Sequence, residues 1–275
     1  MDIRHSLLSN VSILALLVAA NAVGGSVALA SDFGAADRQA ALPAVSGVNA
    51  KIGGFGASLN DEAAGGIFGA LAFPLGHGFG AQIDGVVGGG NGSAFTGIGG
   101  HFFWRDPSRG LLGAYASHVR WDADAISGGF DISGAEVNKV GVEGQLYLGR
   151  LSLEGLAAHQ FGTETGFAGK LTAAYYLHDD FRIHLGVSHL EGPGMSTFAG
   201  IEWMPSPGGR MSVFGDVGVN EDRDTRVLAG IKFYLSPEAK SLIRRHREDD
   251  PDIELPSDLF QTSRGVCPTG QVLIN

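Results

Sequence analysis

His184, Ser188, His189 and Glu191 stand close together in the chain, and a hydrolase assembles its nucleophile, base and orienting acid from these side-chain types. That chemistry requires the base within hydrogen-bond reach of the nucleophile and a third group holding the base. The local pattern decides against it. Phe181, Ile183, Leu185 and Val187 alternate with Arg182 and His184, which is the period of a strand. On a strand His184 and Ser188 share a face but lie roughly 13 Å apart, at about 3.3 Å per residue, and His189 points to the opposite face. The group reads as polar residues near a loop; no catalytic residue is assigned and the chain is not expected to be an enzyme. Gly88 to Gly92 lacks the following Lys and helix of a phosphate loop. The nine His residues show no repeated i, i+4 or strand-paired spacing, so no metal site and no cofactor are expected.

A larger polar set has a different use. Asp84, Arg120, Glu143, Glu154, Lys170, Arg182, His184, Glu202, Asp216, Arg226 and Lys232 fall on the polar faces of alternating segments. Facing one another, they would form an ion-pair network; facing water, they would set a preference for ions or solutes. Buried charges need partners in either case. What these residues do depends on what their segments enclose.

Those segments repeat a unit of about ten alternating residues followed by a turn rich in Gly, Asp or Pro, the pattern of an antiparallel, up-and-down transmembrane β-barrel. Twelve candidates lie near 48–59, 64–73, 79–88, 93–104, 110–121, 136–148, 151–160, 166–177, 181–189, 195–204, 210–219 and 224–235. Gly and Ala occupy both faces in the first, second, fourth and fifth, which leaves ten or fourteen strands open. In 141–148 the split is plain: Val142, Gly144, Leu146 and Leu148 oppose Glu143, Gln145 and Tyr147. The connections sort into short turns (Pro74–Gly78, Arg105–Gly110, Gly149–Arg150, His178–Asp180, Pro205–Gly209) and alternate outward loops, the longest being Asp122–Ala135. Beside the short turns lie Phe73, Phe79, Phe102, Phe103, Trp104, Tyr147, Tyr175, Tyr176, Phe181, Trp203, Phe233 and Tyr234, as an interfacial aromatic girdle would.

Composition agrees. Gly accounts for 44 of 275 residues, a load that weakens helices and suits close-packed strands. The single Cys267 forms no internal disulfide. With 19 Lys and Arg against 29 Asp and Glu, the net charge of −10 argues against a nucleic-acid partner. Residues 1–30 read as a signal peptide cleaved after Ala30, with an apolar run from Val11 to Val23 and a small-residue site at Ala28 and Ala30. Residues 31–47 read as a flexible leader. Residues 236–275 read as an exposed periplasmic tail, disordered or with a short helix over Glu238–Arg247. Its Arg244, Arg245 and Arg247 are neutralised by Glu248, Asp249, Asp250 and Asp252, and docking to a partner or plugging the barrel mouth is the lesser alternative.

Over residues 45–235 the chain resembles Gram-negative outer-membrane β-barrel proteins of a small porin-like kind. The resemblance is most specific in the last strand, where Gly230, Phe233 and Leu235 reproduce the assembly signal of such proteins, although Leu228 departs from the polar residue expected there. It implies outer-membrane localisation, contact with outer-membrane lipid and lipopolysaccharide, and insertion by the barrel-assembly machinery; oligomeric state stays open. The first functional expectation is a narrow, partly filled channel for ions or small solutes. A closed structural or adhesive barrel, and a lipid hydrolase using Ser188 and His184, are the alternatives.

Overall fold

The computed structural model describes residues 42–59, 62–90, 93–122, 135–192, 194–236, 238–253 and 255–256. The expected signal peptide, the leader up to Ala41, most of the longest loop and Cys267 lie outside the described residues. Alternating faces make twelve antiparallel strands: β1 (Asn49–Leu59), β2 (Glu62–Pro74), β3 (Phe79–Gly90), β4 (Ser93–Asp106), β5 (Gly110–Asp122), β6 (Glu136–Leu148), β7 (Leu151–Gly162), β8 (Gly166–His178), β9 (Phe181–Leu190), β10 (Gly194–Trp203), β11 (Met211–Asn220) and β12 (Thr225–Tyr234). Each pairs with its sequence neighbours, and β1 pairs with β12 from Lys51↔Tyr234 to Leu59↔Arg226, closing the barrel and leaving no sheet edge. This settles the strand number at twelve.

Outward positions carry an apolar belt that includes Ile67, Ile83, Val87, Ile98, Leu112, Val142, Leu171, Leu185, Val217 and Val227, all exposed. A belt of that kind needs lipid rather than water around it. Short turns gather at one end, called here the turn end. One is a two-residue hairpin in which Gly149 adopts φ +60°, a conformation that costs glycine little. The other end carries the loops.

Inward glycines admit rings from neighbouring strands. A Cβ on Gly186 would meet the Phe198 ring, and one on Gly230 would meet the Phe214 ring as well as the Gly54 carbonyl. The girdle needs correction on the same ground. Phe79, Phe102, Trp104, Tyr175, Trp203 and Phe233 are exposed on the outer face, but Phe103, Tyr147, Tyr176 and Tyr234 are buried in the lumen. Phe103, for example, sits one position from outward Phe102 and so points the other way.

The ends of the chain also depart from expectation. The last leader residues are packed, not flexible: Ala44 and Val45 are buried, and the Ala44 and Ser46 amides donate to the carbonyls of His77 (2.7 Å) and Glu248 (2.9 Å). The described part of the tail, residues 236, 238–253 and 255–256, is not an exposed appendage. After β12 it crosses the turn end, forms the short helix α1 (Leu242–Arg244) continued by a wide turn through Asp249, and enters the lumen. Leu242 packs among Tyr176, Met204 and Tyr234, and Leu255 among Phe55, Phe68, Val86 and Phe95. The segment goes inside because its apolar residues find apolar partners there and its acidic run finds cations.

Candidate functional site

The site is the lumen, built from the inward residues of all twelve strands together with this C-terminal segment. At the turn end the segment forms a cap. The buried Arg245 guanidinium donates to Ser236 Oγ (2.9 Å) and the Gly209 carbonyl (2.8 Å) and lies over the Tyr234 ring at 4.8 Å. Arg247 lies over Tyr147 at 4.7 Å, and the Tyr176 hydroxyl stands 2.8 Å from His246 Nδ1. The aromatics expected in a lipid girdle thus hold the cap by cation–π and hydrogen-bond contacts. Asp249 Oδ1 accepts from Lys240 Nζ (2.5 Å) and Ser46 Oγ (2.7 Å), tying the stretch before β1 to the stretch after β12. Burial pushes the His246 imidazole down to about 3, against the pull of Glu202, so it is neutral at pH 7.

Beyond the cap, three carbonyl or carboxylate groups of the segment meet cations of the wall. Lys51 Nζ pairs with Asp250 (2.5 Å) and donates to the Pro251 carbonyl (2.6 Å). Asp252 receives Arg182 Nη1 at 3.1 Å and Lys232 Nζ at 3.4 Å. Each of these cations also has a wall partner: Arg182 Nη2 lies 2.9 Å and 3.0 Å from the two Glu154 oxygens, and Lys232 lies 2.9 Å from Glu202. Glu202 accepts further from Ser212 (2.6 Å) and Tyr234 (2.9 Å). Enclosure raises the Asp250 carboxyl. For Asp252 enclosure acts the same way, but Lys232, Arg182 and Lys51 outweigh it and hold the carboxyl well below the usual carboxylate range.

On another stretch of wall His101 stands between Asp84 (Nε2, 2.9 Å) and Glu143 (Nδ1, 2.8 Å). Farther toward the loop end, Phe55, Phe68, Val86, Phe95, Val119, Trp121 and Leu228 form an apolar cluster around Leu255. Beside the segment a cavity of about 70 Å³ remains, bordered by Lys170, Arg182, His184, Asp216, Lys232 and Asp252. His184 Nε2 contacts Asp216 at 2.6 Å, and Lys170 lies 5.2 Å over the Phe198 ring.

Ten of the eleven residues expected on the lumen face are there: Asp84, Glu143, Glu154, Lys170, Arg182, His184, Glu202, Asp216, Arg226 and Lys232 share faces with buried strand positions. Arg120 is the correction. It follows buried Val119 and so faces outward near the loop end, exposed and paired with Asp122 at 2.6 Å. Of the assembly-signal residues, Gly230 is inward, Phe233 is outward, and Leu235 is exposed just past the strand. Sequence reasoning missed Lys51, His101, Arg105 and Lys139, all buried inward. Lys51, His101 and Arg105 lie on β1 and β4, where glycine on both faces hides the alternation; Lys139 lies in β6, where the alternation was legible. It also missed Asp250 and Asp252, whose neighbouring arginines suggested mutual neutralisation.

Among inward strand residues whose side chains are described, the wall carries seven Lys or Arg (Lys51, Arg105, Lys139, Lys170, Arg182, Arg226, Lys232) and five acids (Asp84, Glu143, Glu154, Glu202, Asp216). A chain of net charge −10 therefore encloses a cationic lumen, into which its acidic run folds.

No protein-family model matches this sequence, and no curated protein does. Solved structures share the fold. The KdgM porin aligns with a TM-score of 0.52 at 13% identity, over 66% of this chain and 98% of its own. Outer membrane phospholipase A from Escherichia coli gives 0.46 at 14%, over 70% and 94%, and Omp33 from Acinetobacter baumannii gives 0.45 at 10%, over 68% and 97%. The chain has the fold of the outer-membrane β-barrel proteins, closed here with twelve strands.

Proposed function

We propose that this protein is an outer-membrane channel, narrow and porin-like, for ions or small solutes, and that its own C-terminal segment holds it shut. One observation carries the reading: the acidic run of that segment lies inside the lumen on cations of the wall, Asp250 on Lys51 and Asp252 on Arg182 and Lys232. A barrel built only as a scaffold has no need of a cationic wall matched to an acidic strap. The apolar belt supports residence in lipid, with lipopolysaccharide around the loop end, and short turns face the periplasm in such barrels, which puts the cap on that side. Delivery would run through the barrel-assembly machinery, with Gly230, Phe233 and Leu235 as the signal. That the KdgM porin shares the fold adds to the reading.

A closed structural barrel is the second reading, favoured by the apolar cluster around Leu255, which fills part of the lumen without polar groups. The lipid-hydrolase reading has least support. His184 and Asp216 make a base and its orienting acid, but Ser188 stands four residues along the same strand. Liposome swelling separates the first two. Vesicles bearing the full chain should admit small solutes slowly, and vesicles bearing Asp250→Asn/Asp252→Asn should admit them several-fold faster. Equal, negligible rates from inserted protein would favour the closed barrel.

A further inference from the structure

We infer that Arg182 and Lys232 form a carboxylate-binding station in the lumen and that Asp252 is its built-in occupant, displaced by carboxylate-bearing solutes. This rests on the channel reading and names the chemistry of what the channel takes. Four observations point the same way. The Asp252 carboxylate is held by two cations from different strands, Arg182 on β9 and Lys232 on β12. Those cations are buried in the wall, with side chains 4% and 9% exposed, whereas Asp252 is 34% exposed and borders the cavity. Arg182 Nε is a buried donor with no partner among the described residues, so the guanidinium has capacity left on that side. And the two wall acids, Glu154 and Glu202, are fixed in strands β7 and β10, so Asp252 is the one carboxylate of the cluster that leaves with the segment.

A planar guanidinium and an ammonium converging on one carboxylate recognise that group by charge and by direction. An intramolecular occupant competes at high effective concentration, so the intact protein should bind free carboxylates weakly, and removing the occupant should restore affinity. The site takes mono- or dicarboxylates small enough for the neighbouring cavity; a neutral solute of the same size has nothing to displace Asp252 with.

The test is equilibrium binding of succinate to detergent-purified full chain by calorimetry, with succinamide as the neutral control. Asp252→Asn should bind succinate about tenfold more tightly than the unmodified chain. Glu154→Gln/Arg182→Gln/Asp252→Asn should lose that gain while leaving no unpaired carboxylate, its barrel checked by circular dichroism, and succinamide should bind none of them. An Asp252→Asn chain that binds succinate no better than the unmodified one overturns the proposal, as does a triple variant that keeps the gain. Because binding is read without conduction, tight succinate binding by a barrel that never opens sustains the station and sinks the channel, whereas an opened channel indifferent to succinate does the reverse.

Discussion

His101 contacts a carboxylate oxygen through each ring nitrogen, Asp84 on one side and Glu143 on the other, so the imidazole is what allows two acids to share one wall. His101→Ala would leave both facing each other with no donor between them. A cost of about 3–5 kcal/mol is expected, read as a lower urea midpoint of the purified barrel, and Asp84→Asn/Glu143→Gln in the same background should recover much of it. His246 gives a pH prediction. It packs against Tyr176 and Tyr234, with Glu202, Arg182, Lys232 and Asp252 as the nearby charges. Its pKa falls from 6.5 to about 3 on docking, so the undocked segment binds the extra proton and docking weakens as pH drops from 6.5 toward about 3. Asp252, with its carboxyl held low, adds to this only as pH falls below the ordinary carboxylate value. Asp250 opposes it, because its raised carboxyl favours docking as pH falls. Protease cleavage of the segment in detergent should therefore rise on acidification, and His246→Phe should flatten the rise; an unchanged profile in that variant would remove His246 as the cause.

At the scale of elements, inward glycine and a neighbouring ring form a repeated unit of the wall. Gly230→Ala drives a methyl into the Gly54 carbonyl and the Phe214 ring. A destabilisation of about 1–3 kcal/mol is expected, seen as a lower melting temperature of the folded band on electrophoresis, whereas Gly56→Ala, where a Cβ meets nothing within 4 Å, should be neutral. The strands were legible in the sequence because lipid on one side and a polar lumen on the other impose a period of two, and all twelve predicted segments start within two residues of where the structure places them, eleven of them within one. The girdle was half legible. Proximity to a turn places an aromatic at the right height, but parity decides whether it meets lipid or lumen, and Tyr147, Tyr176 and Tyr234 fall on the inward parity. The cap was legible only as the lesser alternative, because alternating charges such as Arg244 with Glu248 satisfy one another on paper, and only the three-dimensional wall shows that Asp250 and Asp252 have partners elsewhere.

For the whole molecule, overall charge hides the feature that matters. The chain is acidic, its wall is cationic among the described side chains, and the C-terminal segment reconciles the two by placing carboxylates on the wall's cations. Emptied of that segment, the lumen should prefer anions, and Lys232→Glu should reduce or reverse the preference. Planar-bilayer conductance of the full chain beside a chain ending at Ser236 tests this most directly. The account predicts a full chain that inserts but stays mostly closed, and a shortened chain that gives discrete steps with a reversal potential shifted toward the anion. A shortened barrel that inserts and stays silent, or one that conducts like the full chain, would contradict it.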